Sequence, residues 1–412
     1  MKKICIIIPY NYPVPPILGG AVETLVQFLV EENEKTPFFE FTVLATYDKK
    51  LTDIKISYEH TRFIYYKRYK YLDAVWEFIY RAIKKVFHVY IPFSARFVAI
   101  LKHLKKNAGE YDYVLFESGL TYMLPLVAKV YPKEKILNHI HWPGDGNERI
   151  DNSFAYLISV SQFCANKWKS ATNRQDDAIF ILKNCCNDEA FNKKLDKEGA
   201  DKLRKELNIG YNDHVVTFVG RIIPGKGIKE LLLALQRTKT DNIVLIVIGK
   251  ANFGLNKTTS FENEIIRLIE SSKVRVIKRG FVPNSELYKY YNISELAITP
   301  SIMEDPAPVA NIEVMTSGTP VITTNRGGIR EYVGDVALVI DIDDNFVNKL
   351  ACAIDELLVD SERRTEMIQR GLQTAGNYTR KHYLESFVSI IESIEIKENS
   401  QYVQEINSER KI

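Results

Sequence analysis

Short apolar runs alternate along the chain with longer segments in which apolar residues recur every three or four positions. Alternation of this kind predicts strands connected by helices, the arrangement of a parallel α/β sheet. Runs rich in Val, Ile, Leu and Phe predict strands at 3–8, 41–45, 113–116, around 136–141, 156–160 and 179–182, then at 215–219, 243–248, 274–277, 296–299 and 320–323. Most are continuously apolar, as expected of strands buried on both faces. Helices are predicted at 22–34, 121–130, from 228 onward and at 306–316, the last stopped by Gly318. Residues 192–213, rich in Lys, Asp and Glu, read as a boundary helix and linker. The rhythm therefore predicts one domain over 1–195, a second over 213–378, a helix over 379–395 and a polar tail over 396–412.

Composition narrows the class. The 412 residues, 46% of them hydrophobic, suffice for two domains with real cores, and a net charge of +3 does not suggest a nucleic-acid partner. Five cysteines, including the adjacent Cys185 and Cys186, have neither disulfide-framework nor zinc-ligand spacing, which fits a reducing cytoplasm. The apolar run at the N-terminus is short and ends at Pro9, so it reads as a first strand rather than a secretion signal. No apolar segment is long enough to span a membrane.

Candidate chemistry gathers where strands give way to helices. The stretch 296–331 reads strand, acidic loop, helix, strand, with Asp305 and Glu313 on the opening turns of the helix and about 12 Å apart along its axis. That spacing suits a ligand with hydroxyl-bearing rings on either side of a diphosphate; Asp305-Pro306 equally fits an N-cap before a first-turn proline, and Glu313 a solvated helix position. Arg221 and Lys226 flank a loop with Pro224, Gly225 and Gly227, where cations can neutralise a diphosphate and glycines let it approach. Gly19 and Gly20 precede the first helix and serve either a phosphate or a tight turn. No G-x-G-x-x-G follows the first strand, which argues against a nicotinamide enzyme.

His139 and His141, two apart on a strand, face the same way; no third ligand at a recognisable spacing completes a metal site, and either can instead touch a sugar hydroxyl or be bonded in place. Residues 61–110 hold eleven Lys or Arg against three acids, a net +8, interleaved with a dozen aromatics. Such a segment can grip an anionic membrane, and core-facing aromatics under a solvated basic face would look similar.

The motifs FVGRIIPGKG (218–227), RGFVPNSELYKYYNISELAITPS (279–301), the acidic stretch 304–313 and SGTPVITTNRGGIRE (317–331) together resemble the family 4 glycosyltransferases of the GT-B fold. The resemblance implies two Rossmann-like, doubly wound α/β domains facing across a cleft, and a retaining, metal-independent transfer from a nucleotide sugar with no cofactor. It implies that Arg221 and Lys226 hold the leaving diphosphate, that Glu313 binds ribose hydroxyls, and that backbone around Val282 meets the base. Asp305, or Glu304 after a one-residue shift, would contact the transferred sugar; His141 or His139 would lie near the reaction centre, with Gly20, beside Gly19, close to the phosphates and Asn311 among the donor-binding groups. Here the chain departs from the family pattern: Asp stands where Glu is usual, and Pro306 and Pro308 remove two N–H donors. The implied donor is a UDP-sugar, and the implied acceptor is lipid-linked or a glycan in bacterial surface polysaccharide, at the inner face of the plasma membrane. A GT-B-like sugar-nucleotide epimerase and a non-catalytic nucleotide-sugar binder remain alternatives.

Overall fold

This computed structural model describes residues 1–8, 12–54, 57–69, 71–76, 78–79, 94–117, 121–144, 146–250 and 259–409, the side chains of 122 and 401–409 excepted. Two compact units divide the chain, one of Met1–Lys183 with Arg380–Ile412 and one of Asn184–Thr379. Lys70, Tyr80, Lys84, Lys85, Phe87, Tyr90 and Phe93 of the basic aromatic segment lie outside the described residues.

The first unit holds a parallel sheet of β1 (Lys2–Ile7), β2 (Phe39–Thr46), β3 (Thr61–Tyr66), β4 (Tyr113–Glu117), β5 (Ile136–Ile140), β6 (Tyr156–Ser159) and β7 (Ile179–Ile181). Its order is β3-β2-β1-β4-β5-β6-β7. The second unit holds β8 (His214–Val219), β9 (Ile243–Ile248), β10 (Arg275–Gly280), β11 (Leu296–Thr299), β12 (Val321–Thr324) and β13 (Leu338–Ile340), ordered β10-β9-β8-β11-β12-β13. Strand order reverses between β1 and β4 and again between β8 and β11. At such a reversal the connections leave toward opposite faces and open a crevice at the carboxyl ends of the strands. The carboxyl ends of β1 and β4, and of β8 and β11, are thus the candidate binding edges of the two sheets. β3 and β13 were not foreseen: β3 carries TRFIYY from the basic aromatic stretch, and β13 has three residues.

The segment 192–213 is no linker. The chain enters the second unit at Asn184, and Phe191, Leu207 and Ile209 are buried with Val215 and Tyr291 in its core. High charge across helix Lys197–Glu206 conceals these few apolar anchors, which flank the helix rather than lie on it.

The helix Arg380–Glu409 belongs to the first unit, and residues 396–409, read as a polar tail, continue it. Leu384, Phe387, Ile391 and Ile394 recur at helical spacing and are buried; the Phe387 ring meets Phe39 edge-on at 5.5 Å. At its start Arg380 pairs with Glu31 at 3.2 Å and Glu32 at 3.4 Å and lies over the Phe28 ring. Phe387→Ala is therefore expected to cost the first unit about 3–5 kcal/mol. Urea unfolding followed by a first-unit probe would check it, and an unchanged midpoint would contradict this packing.

Candidate active site

In the second unit the loops after β8 and β11 interlock. Gly227 has φ +74°, and a Cβ there would lie 1.8 Å from the Pro300 carbonyl oxygen, so only glycine permits this approach. The N–H groups of Ile302 and Met303 both donate to the Gly225 carbonyl, at 3.0 and 3.1 Å. A third loop closes in from β12, where the Gly328 N–H donates to the Asp305 carbonyl at 2.8 Å. Lys226 is thereby brought onto Asp305, whose carboxylate it meets in an ion pair; the Ala307 N–H also donates to that carboxylate, at 3.3 Å. Arg221 stands exposed at the head of the same loop, and Glu304 is exposed beside the buried Asp305.

The helix after the acidic loop runs Val309–Thr316, not from 306 as expected. Pro308 has no N–H to give and disfavours helical backbone at Ala307, so the loop persists to its N-cap. Asp305 consequently lies in the loop, and the 12 Å axial estimate to Glu313 does not apply. Glu313, in the second turn of the helix, is buried and accepts from Asn284 Nδ2 at 2.8 Å. Burial pushes its carboxyl up to about 7, against the Asn284 bond, which pulls it down. Val282, two residues before Asn284, packs partly buried against the core. Asn311, expected among the donor-binding groups, is fully buried: its Oδ1 accepts from Thr299 and its Nδ2 donates to Thr323 at 3.2 Å. It ties the helix to β11 and β12, which removes it from the ligand-facing set.

In the first unit, Gly19 and Gly20 have φ of +80° and +119° and lead into helix Ala21–Lys35. A Cβ on Gly20 would fall 2.1 Å from Glu23 Oε2, so glycine makes room for that side chain. Glu23, which the sequence did not single out, is buried. Its Oε1 has no hydrogen-bond partner among the described residues, and burial, with some help from the Glu117 charge, pushes its carboxyl up to about 7.

Glu117 is the third group that the histidine spacing lacked. It ends β4 directly opposite His139 in the β4–β5 register, so neighbouring strands, not sequence proximity, bring it there. Its Oε2 lies 3.1 Å from His139 Nδ1 and 2.7 Å from His141 Nε2, and the donor atoms of all three residues fall within 4.8 Å of one another. Two tetrahedral ligands, each about 2.0 Å from a zinc ion, would stand about 3.3 Å apart. The shorter separations are those of hydrogen bonds. Burial opposes ionisation of Glu117, yet the two histidines hold its carboxyl down at about 2; burial, then the adjacent His139, push His141 below its ordinary value. His139 is 1% exposed and out of reach of a ligand, whereas the His141 side chain keeps 10% of its surface.

The elevated Glu313 has a stability consequence with a definite sign. Its carboxyl rises from 4.5 to about 7 on folding, so its contribution is intact below pH 4.5, is lost as pH rises through 7, and stays lost above. The full loss is at most about 3 kcal/mol. Glu313→Gln keeps the Asn284 acceptor without the charge, and is expected to raise the melting temperature by several degrees at pH 8 and not at pH 4. Equal melting curves at both pH values would contradict a buried, strained carboxylate.

Residues 199–374, most of the second unit, match the family described as glycosyl transferases group 1. Over 401 residues the chain is 24% identical to spore coat protein SA of Bacillus subtilis, covering 95% of this chain and 99% of that one. It is 25% identical over 248 residues to the lipopolysaccharide 1,2-N-acetylglucosaminetransferase of Salmonella typhimurium, covering 60% of this chain and 62% of that one. In structure it is similar to Anabaena Alr3699/HepE, solved in complex with UDP and glucose, with a TM-score of 0.69 at 17% identity over 95% of this chain and 100% of that one. The chain thus has the GT-B fold, and the match to group 1 glycosyl transferases spans the interlocked loops at the strand reversal of its second sheet.

Proposed function

We propose that the protein transfers a hexose-type sugar from a UDP-sugar to a lipid-linked or glycan acceptor of bacterial surface polysaccharide, with retention at the anomeric carbon and without a metal ion. The observation that carries this reading is the loop edge at the β8–β11 reversal, where Lys226 and Asp305 are paired and Arg221 heads the same loop. Support for the donor comes from the UDP and glucose bound by the Anabaena protein, and for the pathway from the name of the Salmonella relative.

In this reading Arg221 and Lys226 take the diphosphate. Glu313, steadied by Asn284, accepts from the ribose hydroxyls, and backbone at Val282 meets the base. Asp305 contacts the transferred sugar, with exposed Glu304 as the alternative acid. Cleaving the anomeric bond builds negative charge on the departing diphosphate, so fixed cations stabilise the transition state more than the ground state. Lys226 must first exchange the Asp305 carboxylate for the diphosphate, which frees that carboxylate for sugar hydroxyls. Arg221→Ala and Lys226→Ala are each expected to lower turnover on the order of 10²-fold. A panel of UDP-, GDP- and ADP-sugars with and without acceptor would supply the assay. Near-normal rates in both variants would reject the leaving-group role, and epimerised donor without transfer would reject the transferase reading.

We further propose that the first unit docks on the cytoplasmic face of an anionic membrane. Residues 71–76 are helical, and Tyr71, Leu72, Val75 and Trp76 are exposed there, as are Tyr69 before them and Phe78 after, close to Lys67 and Arg68. Phe63 and Tyr65 of β3 stack on one another at 5.9 Å and Phe97 is buried, so these aromatics serve packing instead. No helix among the described residues is long and apolar enough to cross a membrane. Each cation near an anionic surface contributes about 1 kcal/mol, within a Debye length of about 10 Å at 0.1 M salt. Flotation with anionic vesicles at low salt is expected, with loss at high salt and on changing Lys67, Arg68, Lys70, Lys84 and Lys85 to Ser. Binding indifferent to lipid charge and salt would reject the electrostatic attachment.

A further inference from the structure

Helix Ala21–Lys35 carries two buried oxygens without a hydrogen-bond partner among the described residues, Oε1 of Glu23 and Oε1 of Gln27. The two residues are 2% and 6% exposed. Four positions apart, they share one face of the helix, with Cβ atoms about 6 Å from each other. The Gln27 amide has a single orientation: its Nε2 donates to Glu31 Oε1 at 2.7 Å and to the Tyr58 hydroxyl at 2.8 Å, and a carboxylate has no hydrogen to return. Both amide hydrogens are engaged, so Oε1 is left to accept. Half-buried Tyr58, having accepted from Gln27, keeps its own hydrogen to donate. Glu23 stands at the head of the helix, against the Gly19–Gly20 turn and within reach of the Glu117 charge at the end of β4, which places it at the β1–β4 reversal.

We propose that Glu23 and Gln27 form a sugar-binding site of the first unit, in which their open oxygens accept hydrogens from two hydroxyls of a neutral sugar ring on the acceptor. The inference rests on the reading of the protein as a sugar transferase and gives that reading's acceptor a chemical class. Two acceptors beside one donor match hydroxyls, which both give and take hydrogens. A phosphate would bring oxygens against oxygens, and an ammonium would offer Tyr58 nothing to bond. Burial already resists the charge of Glu23, so a hydroxyl hydrogen given to it is favoured where water is shut out. The phosphate of a lipid carrier is refused at this face, and the acceptor presents a sugar to it. Access runs through the turn: Gly19 is exposed, with nothing within 4 Å of a Cβ built on it, so the turn against Glu23 has room to shift.

Saturation-transfer NMR of the intact protein with UDP present, at pH 8, would test the methyl glycosides of glucose, galactose, mannose and N-acetylglucosamine, with the matching sugar 6-phosphates as anionic controls. At least one methyl glycoside is expected to bind, and its 6-phosphate counterpart at least tenfold more weakly. Glu23→Leu and Gln27→Leu should each weaken that binding at least tenfold and leave UDP affinity unchanged. Glu23→Gln, which keeps an acceptor oxygen, should recover most of it. Leu at position 23 removes a buried carboxyl and is not expected to unfold the chain; should either Leu variant fail to fold, the other decides. Failure of every methyl glycoside to bind would leave these oxygens to water alone and overturn the proposal. So would equal binding of the 6-phosphates, or native-like binding by either folded Leu variant. A native protein that binds a methyl glycoside through these residues yet transfers sugar from none of the nucleotide sugars would instead reject the functional reading and leave the site standing.

Discussion

A backbone approach too close for any side chain holds the second unit's binding edge together. With Gly227 against the Pro300 carbonyl, the loop after β8 cannot move away from the loop after β11 without breaking the paired bonds into the Gly225 carbonyl. Gly327 repeats the device one strand along: a Cβ there would lie 2.4 Å from the Asp305 carbonyl oxygen. Three loops are thus pinned through main-chain atoms, and the charged side chains they carry are fixed as a consequence. Preorganisation of this kind leaves little reorganisation to complete when charge develops on a ligand.

The two sheets solve the same problem with different materials. At the β8–β11 reversal stand cations, exposed Arg221 and half-buried Lys226, with one carboxylate in reserve for Lys226. At the β1–β4 reversal the polar groups among the described residues include two glutamates and two histidines, nearly all buried, with Gly20 leaving room for Glu23. A cationic edge suits a diphosphate, whereas a buried edge of carboxylates and imidazoles suits neutral hydroxyls, which need acceptors more than charge.

The sheets were legible because buried parallel strands read as continuous apolar runs, and eleven of the thirteen strands among the described residues fall where such runs predict them. The edge strand β3 and the three-residue β13 carry too weak a pattern. Arg221, Lys226 and Asp305 stood out as candidates because they sit on loops that follow a strand, and Glu313 because it lies on the helix after one of those loops. Asn284 was not, since its bond to Glu313 spans twenty-nine positions. Glu117 and Glu23 were hidden for the same reason: a carboxylate at a strand end or in a first turn is ordinary until register places a histidine, or burial, against it. Asn311 erred the other way, because a polar residue on a binding helix looks ligand-facing until both its ends are found bonded to threonines inside. Sequence spacing reports which face a residue shares with its neighbours along the chain, and says little about what the adjacent strand brings to that face.

Burial of ionisable groups at these edges costs stability, which is the pattern expected of groups kept for function. Glu23 and Glu313 both have carboxyls raised to about 7, so at neutral pH each is held where its charged form is disfavoured. An apolar side chain of similar size at either site would spare the fold that cost. Glu117 is different, because two histidines compensate it fully enough to keep its charge at any physiological pH. A raised carboxyl is one whose ionisation a ligand can still improve by donating hydroxyl hydrogens, whereas a depressed one is already satisfied and can only hold its partners still. By that criterion Glu313, which we propose takes ribose hydroxyls, and Glu23 are the carboxyls whose ionisation a donor would favour, whereas Glu117 already has its partners in His139 and His141.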